Sequence, residues 1–544
     1  MLHQLSALFW CVLIRQAFHG GTGRWESWLK DNLETGKPEH NMVVYSRAFL
    51  EPALSRMKFI VKLFPEITIK TRPVRKLLVK QLTQNIRNVL LKISDDVRIR
   101  NQWDAIEVWT RDGASDSVND DVYGALECIP GIAHVNRVRE FPLGDFDDIV
   151  ENTREVWGEA LQGKTFVVRV KRTGQHDFTS VEAERYVGGG LNKLTDAKGV
   201  DLHQPDVTIR LEIKHNRLFV IDRRRPGLGG FPLGSADSTL TLVSGGFDST
   251  VAAYQMIRRG VKTHFLFFNL GGAAHENGVK EVIYYLWKKY GSSHKVQFVS
   301  VPFEGVVENI LESVEDRYMG VVLKRMMMRA ANQVSDRLKL DSYVTGEALS
   351  QVSSQTMMNQ RLIDDVADRL VIRPLAVTDK HDIVTIARQI GAASFVERIP
   401  EYCGVISRKP NAACKRHDLE AAESAFDMTV LTAALEQAKV ESIDRMVWEP
   451  TIDMEQALNQ SLDQAHAVII DVRHPHETES APFDAPGHEV IQLPFYSLNR
   501  KFGELDQSRQ YLLYCDKGVM SKMHALHLAD AGFRNVGVYR QPQD

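Results

Sequence analysis

The sequence predicts a multidomain protein of mixed α/β and α+β class, on three observations. The chain has 544 residues, 44% of them hydrophobic, which suffices for roughly three or four domains with cores of their own. Between Thr239 and Ile372, short apolar runs alternate with helical periodicity, the pattern of a mostly parallel sheet. On either side, strand-like runs recur with other spacings and are set off by a glycine-rich stretch and an acidic one, which marks further units.

Residues 1–56 read as a non-native or disordered extension. The apolar run Leu8 to Ile14 is far short of the ~18 to 20 residues of a membrane span. No Lys or Arg precedes it and no small-residue cleavage site follows, which speaks against a secretory signal. Regular pattern begins at Met57, where MKFIVKLFPEITIK alternates as a strand does.

From Met57 to Arg100 there are eleven Lys and Arg against three Asp and Glu, on a strand followed by a helix over Pro73 to Lys92. Such a face suits a polyanion and equally suits an ordinary solvated helix. The net charge of -3 means that nucleic-acid binding would rest on local patches of this kind. A second unit shows strands at Thr165 to Val170, Val207 to Ile213 and Leu218 to Ile221. Between the first two, KRTGQHDFTSVEAERYVGGGL reads as a loop feeding a helix that ends at Gly188 to Gly190. Lys171, Arg172 and His176 precede that helix, whose start would present a phosphate-contacting edge.

The stretch Gly227 to Gly234 reads as a domain boundary. Strands follow at Thr239 to Val243, Thr263 to Phe268, Val296 to Val301, Ser342 to Thr345 and Leu370 to Ile372, and ligands are expected at their carboxyl ends. The first strand runs into Ser244-Gly245-Gly246-Phe247-Asp248-Ser249 and then a helix, Thr250 to Arg259. Two glycines let the backbone approach a phosphate, and the helix start offers unpaired N–H groups and a positive dipole end. Neither the Walker A spacing nor the Rossmann fingerprint is present.

Lys324 lies on a helix whose methionine stripe reads as core, and the residue suits a solvated position as well as a ligand contact. Lys380 opens a helix with a cation where the dipole prefers an anion, a mismatch of roughly 0.3 to 1 kcal/mol that a phosphate would offset. The polar segment Thr345 to Thr356 follows a strand, so Gly346 is placed to admit a nucleotide and Gln355 to hydrogen-bond it.

Residues 426–462 are acidic and partly helical, and they read as a linker. The last unit, 463–541, has strands at Ala467 to Asp471, Val490 to Leu493, Tyr511 to Tyr514 and Val536 to Tyr539. Cys515 follows the third, in Cys515-Asp516-Lys517-Gly518-Val519-Met520-Ser521, before an Ala- and Leu-rich helix. A thiol in such a loop is held by backbone donors near a helix start, which favours its anion. The five cysteines are too few and too irregular for a disulfide scaffold or a closed zinc site. Cys403 taken alone is structural, as are Cys11, Cys128 and Cys414.

These segments resemble known families. The KR-x-G-x-H-D-F run with Arg185 to Gly188 is similar to the THUMP domain of RNA-modifying enzymes (120–224), and the basic unit before it (57–119) to its ferredoxin-like companion. SGG-x-DS resembles the PP-loop of ATP pyrophosphatases (225–425). Cys515 to Ser521 with Asp471-Val472-Arg473 resembles the rhodanese domain. In this order they resemble the long, rhodanese-bearing form of the tRNA 4-thiouridine synthetases, the ThiI family.

That resemblance implies ATP held by Leu242, Val243, Ser244, Gly245, Gly246, Ser249, Lys324, Gly346 and Gln355, and Mg2+ with no protein ligand assigned. It implies Asp248 and Lys380 as catalytic residues, Cys515 as persulfide carrier and Cys403 as the cysteine that closes a disulfide with it. Lys171, Arg172 and His176 would touch tRNA. A cysteine desulfurase would supply sulfur at the uridine of tRNA position eight, in the cytoplasm and without a membrane. The family also passes sulfur to the ThiS carrier for thiamine thiazole synthesis. Two other readings stand beside it: a non-catalytic tRNA-binding sulfur carrier, and a PP-loop enzyme that thiolates another tRNA base.

Overall fold

A computed structural model describes residues 57–102, 105–111, 113–399, 410–446, 466–473, 475–495, 498, 501–516, 521, 524–525, 528–529 and 531–539. The extension 1–56, Cys403 and residues 517–520 of the cysteine loop lie outside them. No helix among the described residues is long and apolar enough to cross a membrane.

Strands β1 (Lys58–Leu63), β2 (Arg98–Asn101), β3 (Ala105–Trp109), β4 (Ile132–Pro142), β5 (Thr165–Thr173), β6 (Gly199–Val200), β7 (Val207–Lys214) and β8 (Arg217–Gly229) form one sheet, ordered β2-β3-β1-β4-β8-β7-β5-β6. The expected boundary at 119/120 falls inside the helix Asp116–Glu127. Beyond it, β4 pairs with β1 in one direction and with β8 in the other. The two expected units therefore share a continuous sheet, because β4 uses one hydrogen-bonding edge on β1 of the first unit and the other on β8 of the second.

Three further readings need correction here. Gly188 to Gly190 do not end their helix, which runs from Ser180 to Leu194. A Cβ at Gly190 would lie 2.7 Å from Val150, so that glycine serves close packing against the helix Phe146–Trp157. The stretch from Gly227 is not a free linker at its start, since β8 continues to Gly229, which pairs with Ile132. Residues 426–462 are not simply a linker either: the helix Met428–Glu436 buries Leu431 and Leu435 in the central core, and Lys439–Ser442 forms an edge strand.

The central sheet comprises β9 (Ala236–Val243), β10 (Val261–Asn269), β11 (Gln297–Pro302), β12 (Ser342–Val344), β13 (Leu370–Ile372) and that edge strand, β14 (Lys439–Ser442), in the order β13-β12-β9-β10-β11-β14. All neighbours run parallel except β14, antiparallel to β11. Apolar strand residues pack on both faces, Leu240 and Val299 into one cluster and Phe265 and Phe298 into another, as a sheet covered by helices requires. Strand β9 has β10 on one side and β12 on the other, so the chain changes direction beside it and opens a crevice at its carboxyl end.

The last sheet, of β15 (Val468–Asp471), β16 (Val490–Gln492), β17 (Tyr511–Tyr514) and β18 (Val536–Val538), is wholly parallel in the order β16-β15-β17-β18. Its core meets the central one at Leu311 of the helix Glu304–Ser313, which packs against both.

Candidate active site

The crevice at the end of β9 contains a cavity of about 570 Å³. Leu242, Val243, Ser244, Gly246, Asp248, Ser249, Lys324, Gly346 and Gln355 all line it. The turn after β9 needs glycine at 245, where φ is +79° and a Cβ would lie 2.8 Å from Ile399 and 2.9 Å from Val279. Gly245 thus shapes the loop without lining the cavity. The helix Phe247–Arg258 starts at Gly246 with no side-chain cap, which leaves its first N–H groups for an anion. Ser249 closes the turn, its Oγ accepting from Ser244 N at 3.2 Å and donating to Gly246 O at 3.3 Å.

Lys380 and Asp248 come together. The Lys380 ammonium donates to the Asp248 oxygens at 2.7 and 2.9 Å, and Gln351 Nε2 donates to the same carboxylate at 3.0 Å. The cation expected to sit unfavourably at a helix start is thus turned onto an acid of the phosphate-type loop.

Gly346 has a different reason from the one expected. A Cβ there would meet Ser249 N at 2.5 Å and the Asp248 carbonyl carbon at 2.6 Å; glycine lets two backbones touch at the edge of the cavity it lines. Gln355 is buried, and its Oε1 has no hydrogen-bond partner among the described residues, an acceptor facing a cavity that a donor-bearing ligand would satisfy. The methionine stripe is core as expected, and Met327 and Met328 also line the cavity.

Glu347 and Arg373 were missed by sequence reasoning, although both follow strands at the carboxyl edge where the ligand rule points. Glu347 is buried, 3.3 Å from the Lys324 ammonium and 2.9 Å from Arg373, and Arg373 also holds Asp364 at 2.6 Å. Burial alone would push the Glu347 carboxyl up; the Lys324 and Arg373 cations and the hydrogen bonds from Arg373 and Thr345 outweigh it and hold it below the usual carboxylate range. No group of three or more His, Cys, Asp or Glu able to hold a metal occurs among the described residues.

The second site is built on β17. Cys515 follows Tyr514 directly and is buried. Its Sγ accepts from the Ser521 backbone N–H at 3.4 Å and lies 3.5 Å from Ser521 Oγ, so a backbone donor from the far side of the loop faces the sulfur. The register that pairs Asp471 with Tyr514 places Arg473 beside the loop. Arg473 is buried, bonds Asp471 at 2.7 Å and reaches Asp516 at 2.9 Å. The Asp471–Arg473 pair is therefore a clamp on the residue next to the cysteine. Burial pushes the thiols of Cys128 and Cys414 up, in keeping with their structural reading.

The expected phosphate edge near residue 171 is differently arranged. The helix Ser180–Leu194 is capped by its own Thr179 and Glu182. Arg172 donates to His176 O at 3.3 Å, and His176 Nε2 lies 2.8 Å from His215 O. Arg172 thus binds the loop to itself and His176 ties it to the turn between β7 and β8, and of the three only Lys171 is exposed.

The family model described as thiamine biosynthesis protein (ThiI) matches residues 234–428, the THUMP domain 144–221 and the rhodanese-like domain 454–541. The chain is 53% identical over 485 residues to a tRNA sulfurtransferase of Pseudomonas putida and 54% identical over 485 residues to one of Pseudomonas aeruginosa, in each case over 89% of this chain and 100% of the relative. Among solved structures it shares its fold with a 4-thiouridine synthetase–RNA complex with bound ATP, at a TM-score of 0.62 and 24% identity, over 71% of this chain and 99% of that one. A loop built for an anion, a buried thiol that accepts a backbone N–H and relatives matched along their whole length agree: the chain belongs to the ThiI family of tRNA sulfurtransferases, enzymes that transfer sulfur to tRNA.

Proposed function

We propose that the chain uses ATP to replace the 4-oxygen of uridine at tRNA position eight with sulfur carried as a persulfide on Cys515. The observation that carries the reading is the convergence on one cavity of the uncapped helix start at Gly246, Asp248 with Lys380 paired to it, Lys324, and a Gln355 Oε1 without a hydrogen-bond partner among the described residues. A carbonyl oxygen leaves poorly, so O4 first attacks the α-phosphorus of ATP and pyrophosphate departs. Lys380, Lys324 and the loop N–H groups stabilise the charge that develops on the phosphates.

The terminal sulfur of Cys515–S–S⁻ then attacks C4 and AMP leaves, giving a mixed disulfide. Cys403 attacks the Cys515 sulfur, the S–S bond breaks toward the base, and 4-thiouridine is released with a Cys403–Cys515 disulfide. An external dithiol reduces it. The alternative is delivery of the sulfur as sulfide in the same exchange.

Mg2+ would ride on the phosphates, since the acids facing the cavity, Asp248 and Glu347, are already engaged by Lys380 and by Lys324 and Arg373. A cysteine desulfurase as persulfide source, sulfur donation to a ThiS-type carrier and a cytoplasmic location complete the proposal. Nucleoside mass spectrometry on tRNA from a deletion strain is the test. The expected result is loss of 4-thiouridine, restored by the intact gene and not by the Asp248→Ala form; unchanged 4-thiouridine in the deletion removes the proposal.

A further inference from the structure

Two walls of the nucleotide cavity come from segments more than fifty residues apart, and one side chain joins them. Ser353 and Gln355 belong to the short turn Ser353–Gln355 after β12, whereas Pro410 and Asn411 lie well beyond the next helices; all four line the cavity. Asn359, on the helix Met357–Asp364, is fully buried between them. Its Nδ2 donates to Ser353 O at 2.7 Å and to Asn411 O at 2.8 Å, and its Oδ1 accepts from Cys414 N at 3.0 Å. Both amide protons and the carbonyl oxygen are thus spent on backbone atoms of the two walls.

A second strap lies beside it, Thr356 Oγ1 donating to Ala412 O at 2.7 Å. Asn411 N in turn donates to Arg317 O at 3.1 Å, so the far wall is also fixed to the residue that leads into the helix Met319–Leu338 carrying Lys324.

We propose that Asn359 is a positioning residue for nucleotide binding: it touches no substrate, and by holding the Ser353–Gln355 turn against the Asn411 wall it sets where Gln355 and Lys324 stand relative to each other. The inference rests on the assignment of this cavity to ATP. Asn is the side chain the place demands, because the two carbonyls require donors and the Cys414 N–H requires an acceptor. Aspartate has the same shape and lacks both donors, and its charge would face two carbonyl oxygens.

The test uses the full chain in tRNA-dependent pyrophosphate release, with ATP affinity measured by calorimetry and tRNA affinity as a check on folding. Asn359→Asp should raise the KM for ATP about ten- to a hundredfold, the scale of lost buried hydrogen bonds, with kcat within a few-fold and tRNA affinity unchanged. A carboxyl buried between carbonyls is protonated above its usual range and regains one donor, so the defect should shrink as the pH is lowered, a behaviour a mere packing defect would not show. Should the Asp form not fold, Thr356→Val, which removes the second strap, should give the same KM-selective loss.

An unchanged KM in whichever of the two variants folds overturns the proposal, as does a fall in kcat with KM intact. Gln355→Ala separates this from the underlying assignment: if it also leaves ATP affinity unchanged, the cavity does not bind ATP; if it weakens ATP while Asn359→Asp does not, only the positioning role fails.

Discussion

The Lys380 ammonium lies 2.7 Å from an Asp248 oxygen across 132 positions of sequence. Lys380 opens the helix Lys380–Ile390 and Asp248 sits in the first turn of Phe247–Arg258, so a cation is held on an acid that lines the cavity, between two helix starts that both favour an anion. The Lys380 side chain is 44% exposed, which limits what the pair adds to stability to about 0–1 kcal/mol.

Lys380→Ala and Asp248→Ala should therefore unfold within a few degrees of the parent and lose catalysis. On the scale of removing one group that stabilises developing charge, pyrophosphate release falls about 10²- to 10³-fold. The double variant should be little worse than either single one, because the pair acts as a unit. Normal release in either single variant would remove both residues from the chemistry.

Gly346→Ala tests the close approach of the two loops. Its methyl would be driven into backbone atoms at 2.5 and 2.6 Å, which cannot rotate away as a flexible side-chain tip can, so the expected cost is about 1–3 kcal/mol. Thermal unfolding should report that loss together with a raised KM for ATP. A fully stable variant with a normal KM would show that the loops are free to separate.

What could be read in the sequence was what is local. The turn from β9 into its helix, and Cys515 directly after β17, are each declared by the local residue order alone. The edge strand Lys439–Ser442 was invisible because its residues Lys-Val-Glu-Ser carry no apolar alternation, and two of them are exposed. Gly188 to Gly190 misled because a helix stop and a helix-packing surface use the same residue; Val150, forty positions before Gly190, decides between them. Glu347 with Arg373, and Asn359 with Asn411, are partnerships set by tertiary approach, and neither leaves a spacing signature.

Glu347 yields a prediction in pH. Its folded-state pKa lies below the ordinary value, which is ~4.3 in an unfolded chain. The stabilisation is therefore complete above that unfolded value and is lost as the pH falls through the folded one. Glu347→Gln leaves Lys324 and Arg373 facing a neutral group, a loss of about 3–5 kcal/mol when a buried pair is broken. The difference between parent and variant in urea midpoint should be flat from pH 7 to about 5 and shrink below about 4. A difference that grew toward acid would show that Glu347 is protonated in the folded protein.

The last prediction concerns the thiols. Cys515 is not among the residues lining the nucleotide cavity and belongs to a separate sheet whose core meets the central one at Leu311. Cys403 lies outside the described residues, between Ile399 and Pro410, which both line the cavity. A disulfide needs Cα atoms within about 7 Å, so if Cys403 resolves the Cys515 persulfide, the two cysteines must come within that distance during turnover. Without reductant the enzyme should stop after about one cycle with both thiols oxidised to each other. Cys515→Ala should abolish thiolation, whereas Cys403→Ala should still load persulfide on Cys515 and fail at release or regeneration. Peptide mapping under non-reducing conditions after one turnover decides it: a linked Cys403–Cys515 peptide is expected, and free Cys403 alongside formed product would remove its resolving role while leaving Cys515 as the sulfur carrier.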